Sequence, residues 1–151
     1  KVFVEEADIL VLDLEGHLVE GSGKPSREYP MHRAIYEERP EAGAVVHTHP
    51  VFATAFAMAG KTVPDCYLIE TRVALKGIAL AGYAAPGSLE LAEQVRAVAA
   101  GNDAILLQNH GALTAGKNLA DAFQKMEVLE CVAKTIIMSR LVGDPVMIPE
   151  E

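Results

Sequence analysis

Ala44-Val45-Val46-His47-Thr48-His49-Pro50 is an apolar run that ends in two histidines separated by a single residue. In extended backbone the side chains alternate between faces, so His47 and His49 project the same way and form a ready-made chelating pair. Pro50 cannot donate to a sheet ladder and closes the run, which predicts a strand over Ala42 to His49. The next segment, Val51 to Ala59, is small, apolar and free of helix breakers until Gly60. It predicts a buried helix packed on the sheet, so the chain alternates strand and helix as a layered α/β sandwich does.

Upstream, Ala7 to Asp13 and His17 to Glu20 read as two strands of a hairpin joined through Leu14-Glu15-Gly16, with His17 an exposed imidazole at the bend. Gly21-Ser22-Gly23-Lys24-Pro25 forms a flexible, basic-tipped loop. Ser26 is placed to cap a helix running from Arg27 to Glu38, with Met31, Ala34 and Ile35 at helical spacing and Arg39-Pro40 as its stop. Glu28 and His32 lie four apart on one face of it. Such a helix start offers amide N–H groups and a favourable dipole to an anion, with Ser26 and Arg27 as the local side chains.

Downstream, Tyr67-Leu68-Ile69 and Ile78-Ala79-Leu80 are short strand candidates. Gly87-Ser88 caps a helix to about Ala100, which Gly101-Asn102 stops. Ala104-Ile105-Leu106-Leu107 is wholly apolar, as in a central strand covered on both faces, and leads into Gln108-Asn109-His110-Gly111. Asn118 caps a long helix with apolar positions at Ala122, Phe123, Met126, Leu129, Val132, Ile136 and Ile137, ending near Gly143-Asp144-Pro145. No repeat, low-complexity tract or linker divides the chain, so one domain is expected over residues 1–151.

Half of the residues are apolar, 23% are charged and there is no Trp, a balance that excludes disordered and fibrous classes. The net charge of −8 argues against a nucleic-acid or anionic-membrane partner, since both need clustered Lys and Arg. No apolar run approaches the roughly 18 residues that span a bilayer, and no leader pattern opens the chain, so a cytoplasmic protein is expected. Cys66 and Cys131 read as reduced packing residues.

The candidate ligands share a topology: His47 and His49 close one apolar strand, His110 closes another, and Gly111 beside it allows a close backbone approach. Three histidines with an open fourth position describe a catalytic rather than a structural zinc site, and a nearby carboxylate would supply the base.

Pro25-Ser26-Arg27-Glu28 with His32, then Ala44-Val45-Val46-His47-Thr48-His49, then Leu106-Leu107-Gln108-Asn109-His110-Gly111 together resemble the class II sugar-phosphate aldolases and epimerases. The resemblance spans nearly the whole chain. It implies a three-layer α/β/α sandwich around a mixed, largely antiparallel sheet, and retro-aldol cleavage of a ketose 1-phosphate such as L-fuculose 1-phosphate into dihydroxyacetone phosphate and an aldehyde. His47, His49 and His110 match the family's metal ligands and Glu28 its catalytic carboxylate. In that chemistry the ion, zinc by default with manganese or cobalt as alternatives, polarises the carbonyl and stabilises an enediolate whose carbon exchanges its proton with Glu28.

The spacing between His49 and His110, 61 positions (110 − 49), is short like that of the aldolase branch; the epimerases carry a longer insertion. Epimerisation, dehydration or decarboxylation on the same frame, or a non-catalytic adducin-like domain, are the alternatives. Ser26 and Arg27 match positions at the family's substrate phosphate, although the family usually carries a second Ser where Arg27 stands. The resemblance also implies a homotetramer with sites between subunits. The family's N-terminal phosphate loops and its C-terminal tail are expected to lie outside residues 1–151, and Tyr67 stands near a family tyrosine but is given no role.

Overall fold

The computed structural model describes residues 3–150; Lys1, Val2 and Glu151, at the ends of the expected domain, lie outside the described residues. Its centre is a four-stranded sheet in the order β3-β6-β5-β4, built from β3 (Ala44–Thr48), β4 (Ile78–Ala81), β5 (Ala104–Leu107) and β6 (Gly111–Gly116). β6 runs antiparallel to both β3 and β5, while β4 and β5 are parallel. The sheet is therefore mixed, with two of its three pairings antiparallel.

All residues of β5 and β6 are buried, and their period of two divides them between two apolar layers. Ile105, Leu107, Leu113 and Ala115 meet Met31, Ala34 and Ile35 of α1 (Tyr29–Glu38) and Leu91, Ala92 and Val95 of α4 (Leu89–Ala99). Ala104, Leu106 and Ala112 meet Ala53 and Ala57 of α2 (Val51–Met58) and Met126, Leu129, Val132, Ala133 and Ile136 of α5 (Leu119–Val142). Helices thus cover both faces, giving the expected three-layer α/β/α sandwich. The helix ends obey the sequence: Ser88 Oγ accepts from Leu91 N at 3.1 Å, and Asn118 Oδ1 accepts from Asp121 N at 2.9 Å.

Four expectations are corrected. The Ala7–Asp13 strand shrinks to β1 (Val11–Leu12), paired through a bulge with β2 (Leu18–Glu20), because Glu6–Asp8 wind into a 3-10 turn in which Glu5 N donates to Asp8 Oδ2 at 2.9 Å. Tyr67-Leu68-Ile69 is not a strand: Ile69–Ala74 forms the short helix α3, and three apolar residues have no period to separate the two states. The first long helix starts at Tyr29 rather than Arg27, since Pro30 lacks an N–H and belongs in a first turn. Cys131 is exposed on α5 and so is not a packing residue, whereas Cys66 is half-buried; both thiols are free. β6 itself escapes the period, for Gly and Ala are poor strand formers and only central pairing stabilises them there.

The end of the sheet away from the histidines is tied by Asp103, which is 6% exposed. Its carboxylate accepts from Arg39 Nη2 at 3.0 Å, Lys125 Nζ at 2.9 Å and Lys76 N at 3.1 Å, joining the end of α1, the start of β5 and α5. Burial alone would raise this carboxyl, but Lys125, the Lys76 amide and Arg39 outweigh it and hold Asp103 below its usual range. Among the described residues no helix is long and apolar enough to cross a membrane.

Removing one member of such a buried network strands the rest. Asp103→Ala is expected to destabilise the fold by about 3 kcal/mol at neutral pH, measured by urea denaturation. A group with a depressed folded pKa stabilises above its unfolded value and loses that contribution as pH falls through the folded one. The gap between wild type and variant should therefore narrow below about pH 4; a constant gap would remove Asp103 from this role.

Candidate metal centre

Because β3 and β5 both run antiparallel to β6, they are parallel to each other, and their carboxyl ends open on the same side of the sheet. His47 pairs with Leu113 in the ladder and so points to the α1 face, towards Glu28 at the start of that helix. His49 comes directly after the last residue of β3, and His110 occupies the turn between β5 and β6. The rings of His47, His49 and His110 stand with their centroids 5.0 Å apart in all three pairs.

One donor atom from each of Glu28, His47, His49 and His110 lies within 4.8 Å of the others. Ligands at ~2.0–2.2 Å from a common ion stand at most ~4.3 Å apart, so small side-chain shifts close the shell. The Glu28 carboxylate stands beside the three imidazoles, as expected of a base near the metal site.

Donor chemistry supports the fit. His47 Nδ1 lies 3.0 Å from the carbonyl oxygen of Ala112, which can only accept, so the proton sits on Nδ1 and Nε2 presents a lone pair. That Nε2 is buried without a hydrogen bond, yet lies 2.7 Å from Glu28 Oε2. Two lone pairs at this distance call for a positive charge between them. His110 also turns Nε2 to the carboxylate, 3.3 Å from Glu28 Oε1, while its Nδ1 is buried without a hydrogen bond.

Burial favours the neutral form of His47, His110 and His32. Burial pushes His47 below the usual histidine range, with His110 and His49 adding to the effect against the Ala112 carbonyl and Glu28. Burial also lowers His110 against the pull of Glu28. His32, one turn beyond Glu28 and edge-on to His47 at 6.2 Å, is pushed down to about 4 by burial and by His47. Neutral rings bind a cation without first losing a proton.

Local backbone makes the cluster possible. Asn109 adopts φ 59, a left-handed conformation that asparagine tolerates, and turns the chain from β5 so that His110 faces His47. A Cβ on Gly111 would stand 2.5 Å from Thr48 O and 2.7 Å from His49 Cδ2. The expectation that Gly111 permits close approach is therefore met at the His49 ring itself.

The remaining sequence candidates divide. Ser26 lines a cavity of about 500 Å³ together with Glu28, His32, His47, Thr48 and His49. A second cavity of about 620 Å³, lined in part by Lys24, Tyr29 and Leu12, adjoins it through Ser26 and His32. Arg27 is exposed and lines neither; its backbone packs under Gly87. Ser26 does not cap the helix from the expected position but accepts from Glu28 N at 3.3 Å. Tyr29 N and Met31 N are also engaged and Pro30 has none, so this helix start offers fewer amides than the sequence suggests. In the sequence His32 is only a helix neighbour of Glu28; its place in both cavities escapes that reading, although the four-residue spacing from Glu28 is the available signal. His17 is exposed at the hairpin, 3.0 Å from Asp13, as expected.

Residues 1–137 match the family described as class II aldolase and adducin N-terminal domain. The chain belongs to this family. It is 41% identical over 140 residues to the L-fuculose phosphate aldolase of Methanococcus maripaludis strain C5, covering 92% of this chain and 75% of that protein. It is 33% identical over 145 residues to the 5-deoxy-D-ribulose 1-phosphate aldolase of Bacillus thuringiensis serovar kurstaki, covering 95% of this chain and 67% of that one. A solved L-fuculose 1-phosphate aldolase superposes with a TM-score of 0.89 at 34% identity, over 97% of this chain and 69% of that chain. As a class II aldolase the chain is a carbon–carbon lyase of a metal-dependent class, and the His–Glu cluster is its candidate metal site.

Gly111→Ala is expected to weaken zinc binding at least about tenfold, because the added methyl displaces His49 or the Thr48 carbonyl. Chelator competition measures it; wild-type affinity in the folded variant would show that the close approach is dispensable.

Proposed function

We propose that this class II aldolase cleaves a ketose 1-phosphate, L-fuculose 1-phosphate or a near relative, to dihydroxyacetone phosphate and an aldehyde. The observation that carries the reading is the pair of lone-pair donors, His47 Nε2 and Glu28 Oε2, facing each other at 2.7 Å within a set of three imidazoles and a carboxylate. His47, His49 and His110 hold the metal in this reading, and zinc suits such nitrogen-rich ligation, with manganese or cobalt as alternatives. Bound there, the ion supplies a Lewis acid for the substrate's carbonyl oxygen.

The other steps belong to the chain. Glu28 stands at the edge of the 500 Å³ cavity, within reach of whatever occupies it, and moves the proton at the carbon left electron-rich when the carbon–carbon bond breaks. Ser26, whose oxygen already accepts from Glu28 N, keeps its hydroxyl proton for a substrate phosphate oxygen. Arg27, exposed beside it, adds positive charge from the flank. His47 keeps its Nε2 lone pair in place by engaging Nδ1 with Ala112.

A single catalytic domain acting as a cytoplasmic homotetramer is part of the proposal. It rests on the family resemblance, and exposed apolar side chains such as Val51, Met58 and Val73 leave surface for neighbouring subunits. The names of the relatives support two substrates, L-fuculose phosphate and 5-deoxy-D-ribulose 1-phosphate, which share the ketose 1-phosphate head and differ at the aldehyde end.

Zinc-loaded protein incubated with L-fuculose 1-phosphate, 5-deoxyribulose 1-phosphate and L-ribulose 5-phosphate should release dihydroxyacetone phosphate from at least one of the 1-phosphates. Undiminished cleavage after exhaustive chelation would refute the metal-dependent reading, and epimerised product alone would replace aldolase by epimerase. Glu28→Gln should retain zinc while kcat falls by roughly 10²–10⁴-fold, the usual worth of a positioned acid–base group. A variant with full activity would take that role away from Glu28.

A further inference from the structure

His49 is the least supported of the three imidazoles. β3 ends at Thr48, so the sheet ladder does not hold the backbone of His49, and the residue is exposed. Histidine ligands almost always give their second ring nitrogen to an outer partner that fixes the ring. His47 has the Ala112 carbonyl; the His110 ring has no such partner, its Nδ1 being buried without a hydrogen bond, but its backbone N donates to Leu107 O at 3.0 Å inside a tight turn and holds the residue in place. No hydrogen bond engages the His49 ring among the described residues.

The segment after His49 is held firmly. Pro50 is the N-cap of α2, with φ fixed by its ring, and no side chain of its own segment caps that helix. The free amides are met from another helix. Glu130 of α5 accepts from Phe52 N at 3.0 Å through both carboxylate oxygens and from Ala53 N at 2.9 Å. One turn on, the Lys134 ammonium stands 5.6 Å over the Phe52 ring. A carboxylate is favoured at a helix start by the orphan N–H groups and the dipole. Here it comes from 77 and 78 residues further along the chain, so it locks the start of α2 to the sheet-covering helix.

We propose that Glu130 is a positioning residue for His49: by binding the amides of Phe52 and Ala53 it fixes the first turn of α2 and, through Pro50, the direction in which His49 leaves β3. The main chain thus supplies the outer shell that the His49 ring lacks. The inference rests on the reading of His49 as a metal ligand.

The test uses the full chain with cobalt(II) as a spectroscopic probe and zinc by chelator competition. Glu130→Ala should bind both ions about tenfold or more weakly and change the visible cobalt bands, while Glu130→Gln, which keeps an acceptor oxygen, recovers to within about threefold. Asn118→Ala serves as the control, since it removes the cap of α5 and lowers stability without touching α2. Wild-type cobalt affinity and spectrum in Glu130→Ala would overturn the proposal, as would an equal loss in Asn118→Ala at matched stability. Should Glu130→Ala not fold, Glu130→Asp, whose shorter side chain draws the carboxylate back from the Phe52 and Ala53 amides, decides: weaker cobalt binding with displaced bands supports the role, and wild-type affinity and bands end it. If the wild-type chain takes up neither ion, the metal reading falls and the role of Glu130 with it.

Discussion

Everything at the centre of this molecule depends on two short strands being dry on both faces. β5 and β6 contain no exposed residue, and their alternate side chains feed two separate apolar layers. Burial on both sides leaves backbone hydrogen bonding only to neighbouring strands, which fixes the register of β3 on β6 and so sets His47 opposite Leu113. The turn joining the two buried strands then has one place to be, and His110 lies in it. His47 and the turn that carries His110 are thus positioned by sheet packing.

The chemistry at the open end stems from the same enclosure. Burial discourages protonation of His47, His110 and His32, and His47 Nε2 and His110 Nδ1 are buried without a protein hydrogen-bond partner. A carboxylate brought in at the start of α1 faces the Nε2 atoms of His47 and His110. Such an arrangement carries a cost until a cation occupies it, so affinity for a metal is stored in the polypeptide's own electrostatics. The opposite end of the sheet solves the converse problem internally, where two cations, Arg39 and Lys125, enclose one buried carboxylate.

Much of this is legible in the residues. The strand ending in two histidines, the wholly apolar Ala104–Leu107 run and the caps at Ser88 and Asn118 each state a local rule that the tertiary structure obeys. The three ordered motifs group Glu28, His47, His49 and His110 without any geometry, and one donor set contains all four. Long-range effects are not legible. β6 is a strand because its neighbours make it one, and its Gly and Ala content hides it. The engagement of the amides at the start of α1 depends on Pro30 and on the fold of the turn before it. Glu130 lies on a helix face where a carboxylate is ordinary; only the arrival of α2 gives it partners.

The strand order carries a further consequence, for the sequence of events in folding. β6 comes last in the chain yet lies between β3 and β5, so neither of those strands has its full set of partners until residue 116 is in place. Insertion of this last strand closes the longest sequence separations in the sheet, from Ala44 to Gly116, and such closures are the slow part of assembling a topology. The same insertion is what brings His47 beside His110. In the proposed metal reading, uptake of the ion is accordingly an event of the finished sheet, and a nascent chain in which β6 has yet to dock has no complete site with which to capture metal prematurely.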